Sequence, residues 1–318
     1  DASGQVDALV ARLLRDAWFG MLSPFHAAIV ASASGEEGAV REWLRADGLG
    51  VGIGVACCYV PMVAAVGGWF EARRTLALGL AVAGIGTGTL VMVPLVEWVI
   101  DNQGWRDAYR LLAIMTAVLL TVAAIGAHRP PTSAASPVPI REAIRGRVDF
   151  WILYVSSILI SITLFTPFVF LADYIDTVGG TGSAAVLLGL IGMSSIAGRL
   201  GFGAVAARIG ITGLYQLSFL VLSLSVLLWI VADTSYSLLI LFAVVLGVSY
   251  GGFIALSPAV VAVRFGVVGM GGVLGALYTA AGVGGLVGPP TIGAIIDASG
   301  HTAAQTTALV SGLLGTAL

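Results

Sequence analysis

The chain has 318 residues, of which 58% are apolar and only 10% charged, with a mean hydropathy of +1.01. A water-soluble domain carries about 25% charged residues, so water cannot be the main solvent of this one. The net charge of −2 argues against a nucleic-acid partner, and every one of the fifteen basic residues is Arg.

A membrane-spanning helix needs about 20 apolar residues to cross a hydrocarbon layer of about 30 Å. Charge-free runs of that kind recur along the chain. Gly48 to Phe70, Thr75 to Val96 and the shorter Leu111 to Ala127 come first. Phe150 to Ala172, Gly182 to Ala207 and Ile209 to Ala232 follow, the second interrupted only by Arg199. Thr234 to Val263 and Phe265 to Ile296 exceed one span, so each is expected to include some loop. A ninth run begins near Thr302. Strands would leave backbone groups unpaired in lipid, and no run shows barrel-type alternation, so the expected class is an all-α membrane protein of about nine transmembrane helices.

The segment 1–47 carries four arginines, seven acids and no adequate span; its best candidate, Trp18 to Ala33, contains Pro24 and His26. It is expected to pack little apolar surface against the helices. Residues 48–127 form one helical group and 150–318 another. Between them, 128–149 is rich in Pro and Ser and then basic, the composition of a linker.

Arginines set the orientation. Alternate loops hold Arg73 and Arg74, then Arg129, Arg141, Arg145 and Arg147, then Arg208, then Arg264. The intervening loops hold only Arg106 and Arg110, and instead carry Glu97, Asp101, Asp107, Asp173, Asp176, Asp233 and Asp297. The Arg-rich side is therefore cytoplasmic, and the location is a multi-pass position in the cell (inner) membrane.

Several motifs carry finer information. Gly201 to Gly210 places Gly203, Val205, Ala206, Arg208 and Gly210 on the pattern G-x-L-A-D-R-x-G, with Ala207 in the aspartate position. Glycine permits a tight turn there and Arg208 can bond carbonyls at a helix end. Trp69-Phe70-Glu71-Ala72-Arg73-Arg74 leads into Ala77, Gly79, Gly84, Gly86, Gly88 and Pro94. Gly104-Trp105-Arg106 and Gly288-Pro289-Pro290 with Gly293 and Asp297 are further landmarks. In lipid, small residues let helices approach closely, so Gly79, Gly84, Gly88, Gly288 and Pro289 are candidate packing positions. Cys57 and Cys58 read as small core residues.

Arg199 is the one formal charge well inside a span. It precedes Arg208 by nine residues, which places it about 13 Å deeper along a helix and near the midplane. A guanidinium is costly there unless it faces a wet cavity or an anion, and its fork fits a carboxylate. A structural arginine pairing with carbonyls is the alternative. Ser195, Tyr250 and Tyr278 are softer binding candidates, as are Ser156, Ser157, Ser161, Thr163, Thr166 and Ser257, because hydroxyls in lipid most often bond their own helix.

These segments together resemble the major facilitator superfamily, and within it the branch of monocarboxylate transporters and oxalate/formate antiporters. The resemblance covers residues 48–318. It implies six helices, a cytoplasmic linker and six more, so that nine spans correspond to a chain lacking the first three. It implies a secondary transporter of a small organic anion, a monocarboxylate or a relative, working as a monomer by alternating access. It also implies that Arg199 is the anion-binding arginine of the eighth helix. Proton coupling in this branch uses an aspartate four residues before that arginine, where this chain has Ser195. A truncated, non-transporting remnant of such a carrier is the competing reading. An enzyme is disfavoured, since His26, His128 and His301 all fall outside the expected spans, and neither a cofactor nor a metal site is expected.

The orientation can be checked directly. A cysteine at Ser136 should react with a membrane-impermeant thiol reagent only from the cytoplasmic side, and one at Asp176 or Asp233 only from outside. Reaction of the Ser136 position from both sides overturns the orientation and the span count.

Overall fold

A computed structural model describes residues 52–70, 74–126, 146–178, 182–266 and 270–318. Segment 1–47, Arg73 and most of the expected linker lie outside the described residues. Nine helices are described: α1 (Gly52–Trp69), α2 (Arg74–Gln103), α3 (Trp105–Gly126), α4 (Val148–Thr177), α5 (Ala184–Ile209), α6 (Ile211–Ala232), α7 (Tyr236–Phe265), α8 (Met270–Ser299) and α9 (His301–Ala317).

Among the described residues, six helices have the length and apolarity to cross a membrane: Asp107–Gly126, Val148–Thr177, Val186–Ala206, Ile211–Ala232, Tyr236–Phe265 and Met270–Ser299. The seventh and eighth runs each include some loop at their start, as expected: Thr234 and Ser235 precede α7, and Gly266 follows α7 before α8 begins at Met270. The two helices are each 30 residues long, with Pro258, Pro289 and Pro290 inside them. One boundary differs from expectation. The helix after the linker starts at Val148, inside the segment assigned to it, because Asp149 suits the positive end of a first helical turn.

Helices α4 to α9 form a closely packed set. Its main core joins Leu187, Leu222, Val226, Trp229, Phe242 and Leu246, all nearly inaccessible. Trp229 stacks on Phe242 with ring centroids 5.5 Å apart. Polar side chains add bonds between helices: the Thr163 hydroxyl donates to the Ala308 carbonyl at 2.7 Å, and Ser311 to the Leu159 carbonyl at 2.9 Å. Thus α4 is tied to α9 by hydroxyls, among them that of the candidate Thr163. Ser161, Thr166 and Ser257 bond carbonyls of their own helices.

Helices α1 to α3 are arranged differently. α2 packs along α5 and α7, while α1 packs on α8. One apolar cluster crosses between the two sets, joining Val63 of α1 and Leu78 and Val82 of α2 to Val261, Val273, Leu274 and Leu277. It lies toward the Arg-rich helix ends. α3 exposes Ile114, Val118, Leu119, Val122 and Ile125, an apolar surface suited to contact with lipid or another apolar partner rather than water. Cys58 is exposed rather than in the core, because it points away from the α1–α8 contact.

Arginines at the Arg-rich ends close helix termini. The Arg74 Nε donates to the Gly67 carbonyl at 2.7 Å, near the end of α1. Arg147 donates to the Arg264 carbonyl at 2.9 Å, with its guanidinium 4.5 Å from the centre of the Phe265 ring. Each bond satisfies a carbonyl that a helix end leaves without an intrahelical partner.

Glycines control how closely the helices approach. A Cβ on Gly198 would collide with the Val248 backbone of α7, and one on Gly251 with the Ser195 carbonyl of α5. On α8, a Cβ on Gly288 would come within 3.3 Å of the Ile162 Cα, so Gly288 does permit a close approach, to α4. Pro289 follows it within the helix, half-buried. At Gly84 and Gly88 a Cβ would meet no described atom within 4 Å, so these two expected packing glycines make no close approach among the described residues.

Gly198→Ala should therefore lower the melting temperature of the purified protein in detergent, by an amount corresponding to about 1–3 kcal/mol of overpacking. Gly84→Ala should leave it unchanged or raise it slightly, since Ala favours helix by up to about 1 kcal/mol. Equal losses at both positions would show that the crossing is not glycine-limited.

Candidate functional site

The buried guanidinium of Arg199 lies at the centre of the candidate site. It lies ten residues before the end of α5 at Ile209, about 15 Å along the axis, and its side chain is 0% exposed. One nitrogen, Nη1, donates to the Ser195 hydroxyl oxygen at 3.1 Å. Ser195 in turn donates its proton to the Gly192 carbonyl at 2.6 Å, which leaves its oxygen free to accept. The Tyr250 ring of α7 faces the guanidinium, with its centre 5.4 Å from Cζ, a cation–π distance. The remaining donors, Nε and Nη2, have no partner among the described residues. A buried guanidinium with idle donors is a strained arrangement unless something completes it.

The room for this side chain comes from the other helix set. A Cβ on Gly86 of α2 would stand 2.7 Å from Arg199 Nη1 and 2.6 Å from Ile196 Cγ1. A Cβ on Gly79 would stand 2.8 Å from the Arg199 carbonyl. Both glycines therefore pave the α2–α5 crossing at the site. Gly203 belongs to the same crossing: a Cβ there would be 3.3 Å from the Thr75 carbonyl. Gly203, expected in the turn of its loop motif, instead lies inside α5 and faces α2. The turn itself falls at Gly210, whose φ of +105° is a backbone state that glycine adopts without strain. Arg208 is exposed in the last turn of α5.

Tyr278 of α8 is half-buried and its hydroxyl lies 3.3 Å from that of Tyr59 on α1. Tyr59 was not among the expected site residues, although it is the one hydroxyl in the run Gly48 to Phe70. It stands within electrostatic reach of both Tyr250 and Arg199. The structure thus brings Arg199, Ser195 and Tyr250 together and adds Gly86, while Tyr278 pairs with Tyr59. Among the described residues, no group of three His, Cys, Asp or Glu side chains could hold a metal ion. A guanidinium with idle donors between two helix groups has the geometry to take a carboxylate or a similar anion.

Comparison with known proteins agrees with this architecture. The chain is 29% identical over 301 residues to monocarboxylate transporter 12 of Xenopus laevis, covering 81% of this chain and 63% of that protein. It is 30% identical over 270 residues to monocarboxylate transporter 13 of Rattus norvegicus, covering 81% and 61%. It is 31% identical over 279 residues to human monocarboxylate transporter 11, covering 81% and 58%. The chain therefore spans about three fifths of the length of these relatives. The crystal structure of the human organic anion transporter MFSD10 (TETRAN) superposes with a TM-score of 0.71 at 15% identity, covering 98% of this chain and 80% of that one, a likeness of fold. The sequence profile of the Major Facilitator Superfamily matches residues 38–289, beginning inside the segment that was expected to show no resemblance. With a match over most of its length, this chain is a member of the major facilitator superfamily and resembles its monocarboxylate-transporter branch.

Proposed function

We propose that this chain is the helical body of a secondary active transporter that moves a small organic anion, a monocarboxylate or a close relative, by alternating access across the cell (inner) membrane. The observation that carries the reading is the guanidinium of Arg199, fully buried between two helix sets with Nε and Nη2 unpartnered. A carboxylate supplies two acceptor oxygens in the plane of that fork and removes the cost of the idle donors. The relatives named as monocarboxylate transporters support the same substrate class. Rocking of the α1–α3 set against the α4–α9 set would expose the midplane site to one side and then the other. We assign the transporting unit as a monomer.

Ser195 gives this site a particular character. Its hydroxyl accepts from Arg199 without neutralising it, so the bound anion supplies the countercharge. A proton exchanged within an Asp–Arg pair at these two positions is not available to this chain, and proton coupling, if it operates, uses another group.

The reading is tested by carboxylate binding per folded molecule. Arg199→Ala should weaken binding by at least about 100-fold, since two charge-assisted hydrogen bonds are worth about 1.5–3 kcal/mol each. Arg199→Lys should recover little of it, because an ammonium is a point charge without the fork. Unchanged binding in a folded Arg199→Ala protein removes this residue from the site. As a separate check, Ser195→Asp should weaken the anion by about tenfold or more while the melting temperature holds or rises, because the new carboxylate occupies the guanidinium itself. Tighter anion binding in Ser195→Asp would contradict the assignment of countercharge.

A further inference from the structure

Helices α4 to α9 divide into two triplets. α4 packs mainly on α8 and α9, and α7 mainly on α5 and α6, while α6 against α9 joins the two. A seam therefore runs between α4 and α7. Toward the midplane the main core fills it, with Ile160 and Leu164 of α4 in one cluster with Leu222 of α6 and Leu246 of α7. Toward the Arg-rich ends it opens into a cavity of about 180 Å³, room for one small organic molecule. Arg147 holds the rim together, since it bonds the Arg264 carbonyl and covers the Phe265 ring.

The lining is sorted by polarity. Charge sits at the helix ends, where Asp149 is the second residue of α4 and Arg264 the last but one of α7. A turn or more farther in, the lining is Ile152, Leu153, Phe219 and Val260. Neither charge is spent within the protein. The salt bridges among the described residues join Arg110 to Asp107 and His301 to Asp173, so Asp149 and Arg264 flank the mouth, one on each triplet, without an ion-pair partner. α6 starts here without a side-chain cap, its N-cap being Gly210, and Thr212 of its first turn lines the cavity. The free N–H groups of that turn and the guanidinium are donors for an anion. Tyr215 also lines the cavity and is 3% exposed. Its hydroxyl makes no hydrogen bond among the described residues, with Ser157 and Ser257 beside it. A buried hydroxyl left idle is a cost that a bound polar molecule can remove.

We propose that this cavity is a ligand site in its own right, and that it takes a free amino acid with a short branched apolar side chain. The carboxylate lies between Arg264 and the start of α6, the ammonium on Asp149, and the side chain against Ile152, Leu153, Phe219 and Val260. The two lips select this class. A lone anion would face the Asp149 carboxylate and a lone cation the Arg264 guanidinium, whereas a molecule carrying both charges satisfies both. Because the lips belong to different triplets, the bound amino acid ties α4 to α7 across the seam. Arg199 does not line the cavity, so this site stands or falls independently of the transport reading.

The test uses the 318-residue chain, purified in detergent, with radiolabelled leucine as probe. Wild type should bind it saturably. Isocaproate lacks the ammonium and isoamylamine lacks the carboxylate, so each should compete only at a concentration about tenfold higher or more, the value of one hydrogen bond to a charged group. Asp149→Asn and Arg264→Gln should each weaken leucine by about tenfold or more, at an unchanged melting temperature because both side chains are exposed. Equal affinity for leucine and isocaproate overturns the proposal, since Asp149 would then hold nothing. Leucine binding lost in Arg199→Ala and kept in the other two variants places the ligand at the midplane and also overturns it. Absence of saturable leucine binding to wild type overturns it as well, and leaves the anion site at Arg199 untouched.

Discussion

In lipid, two helices gain nothing by hiding apolar side chains from one another, since the surrounding chains are as apolar as leucine. What remains is contact at very short range, and in this protein contact at that range is set by glycine. α5 illustrates the point. On one flank, Gly198 meets the Val248 backbone and Gly251 of α7 meets the Ser195 carbonyl; on the other, Gly79 and Gly86 of α2 lie against Arg199. Backbones brought this close leave space only for a side chain whose shape matches the gap. The guanidinium of Arg199, thin and planar, slides between glycine-bearing helices where a bulkier group could not.

The burial of Arg199 follows from that geometry and leaves a charge that must be compensated. An unpaired guanidinium at bilayer depth is expensive by any scale, and proteins keep one only where it is compensated. Ser195 and the Tyr250 ring compensate part of it. Neither carries a formal negative charge. A structural arginine would be expected to spend its donors on carbonyls, as Arg74 and Arg147 do at the helix ends. Arg199 has none of its donors on a carbonyl among the described residues, a contrast within one chain.

Much of this was legible in the sequence, and the misses have physical causes. Charge-free runs locate nine helices because lipid tolerates few ionised side chains, and Arg199 stands out for the same reason. Ser195 follows from it, one helical turn away. The glycines were harder. Gly79 and Gly86 are seven residues apart, nearly two full turns, so they share a face; Gly84 and Gly88 share a different one. Spacing alone groups them correctly but does not say which face meets α5, and choosing Gly79 together with Gly84 and Gly88 as packing positions mixed two stripes, of which only that of Gly79 meets α5. Gly203 looked like a loop residue because its motif ends in a true turn at Gly210. Tyr59 was missed because a tyrosine in a span reads as packing until its cross-helix partner, 219 positions away in sequence, is known.

The distribution of contacts between the two helix sets carries a final consequence for mechanism. The crossing cluster around Val63, Leu78, Val82, Val273 and Leu274 lies on the side of the Arg-rich ends. Toward the opposite ends, the described residues of α2 turn outward: Val91 and Trp98 are exposed, and the cluster of Val96, Val99 and Ile100 packs against α3 alone. Among the described residues, the apolar contact between the two sets therefore lies toward the Arg-rich ends. Parting the sets there would wet an apolar cluster whose burial is worth about 25 cal/mol per Å² where water can reach it. The α2–α5 crossing is of another kind: it is set by Gly79, Gly86 and Gly203, so parting it would separate backbone from backbone and free the Arg199 side chain from the gap at Gly86.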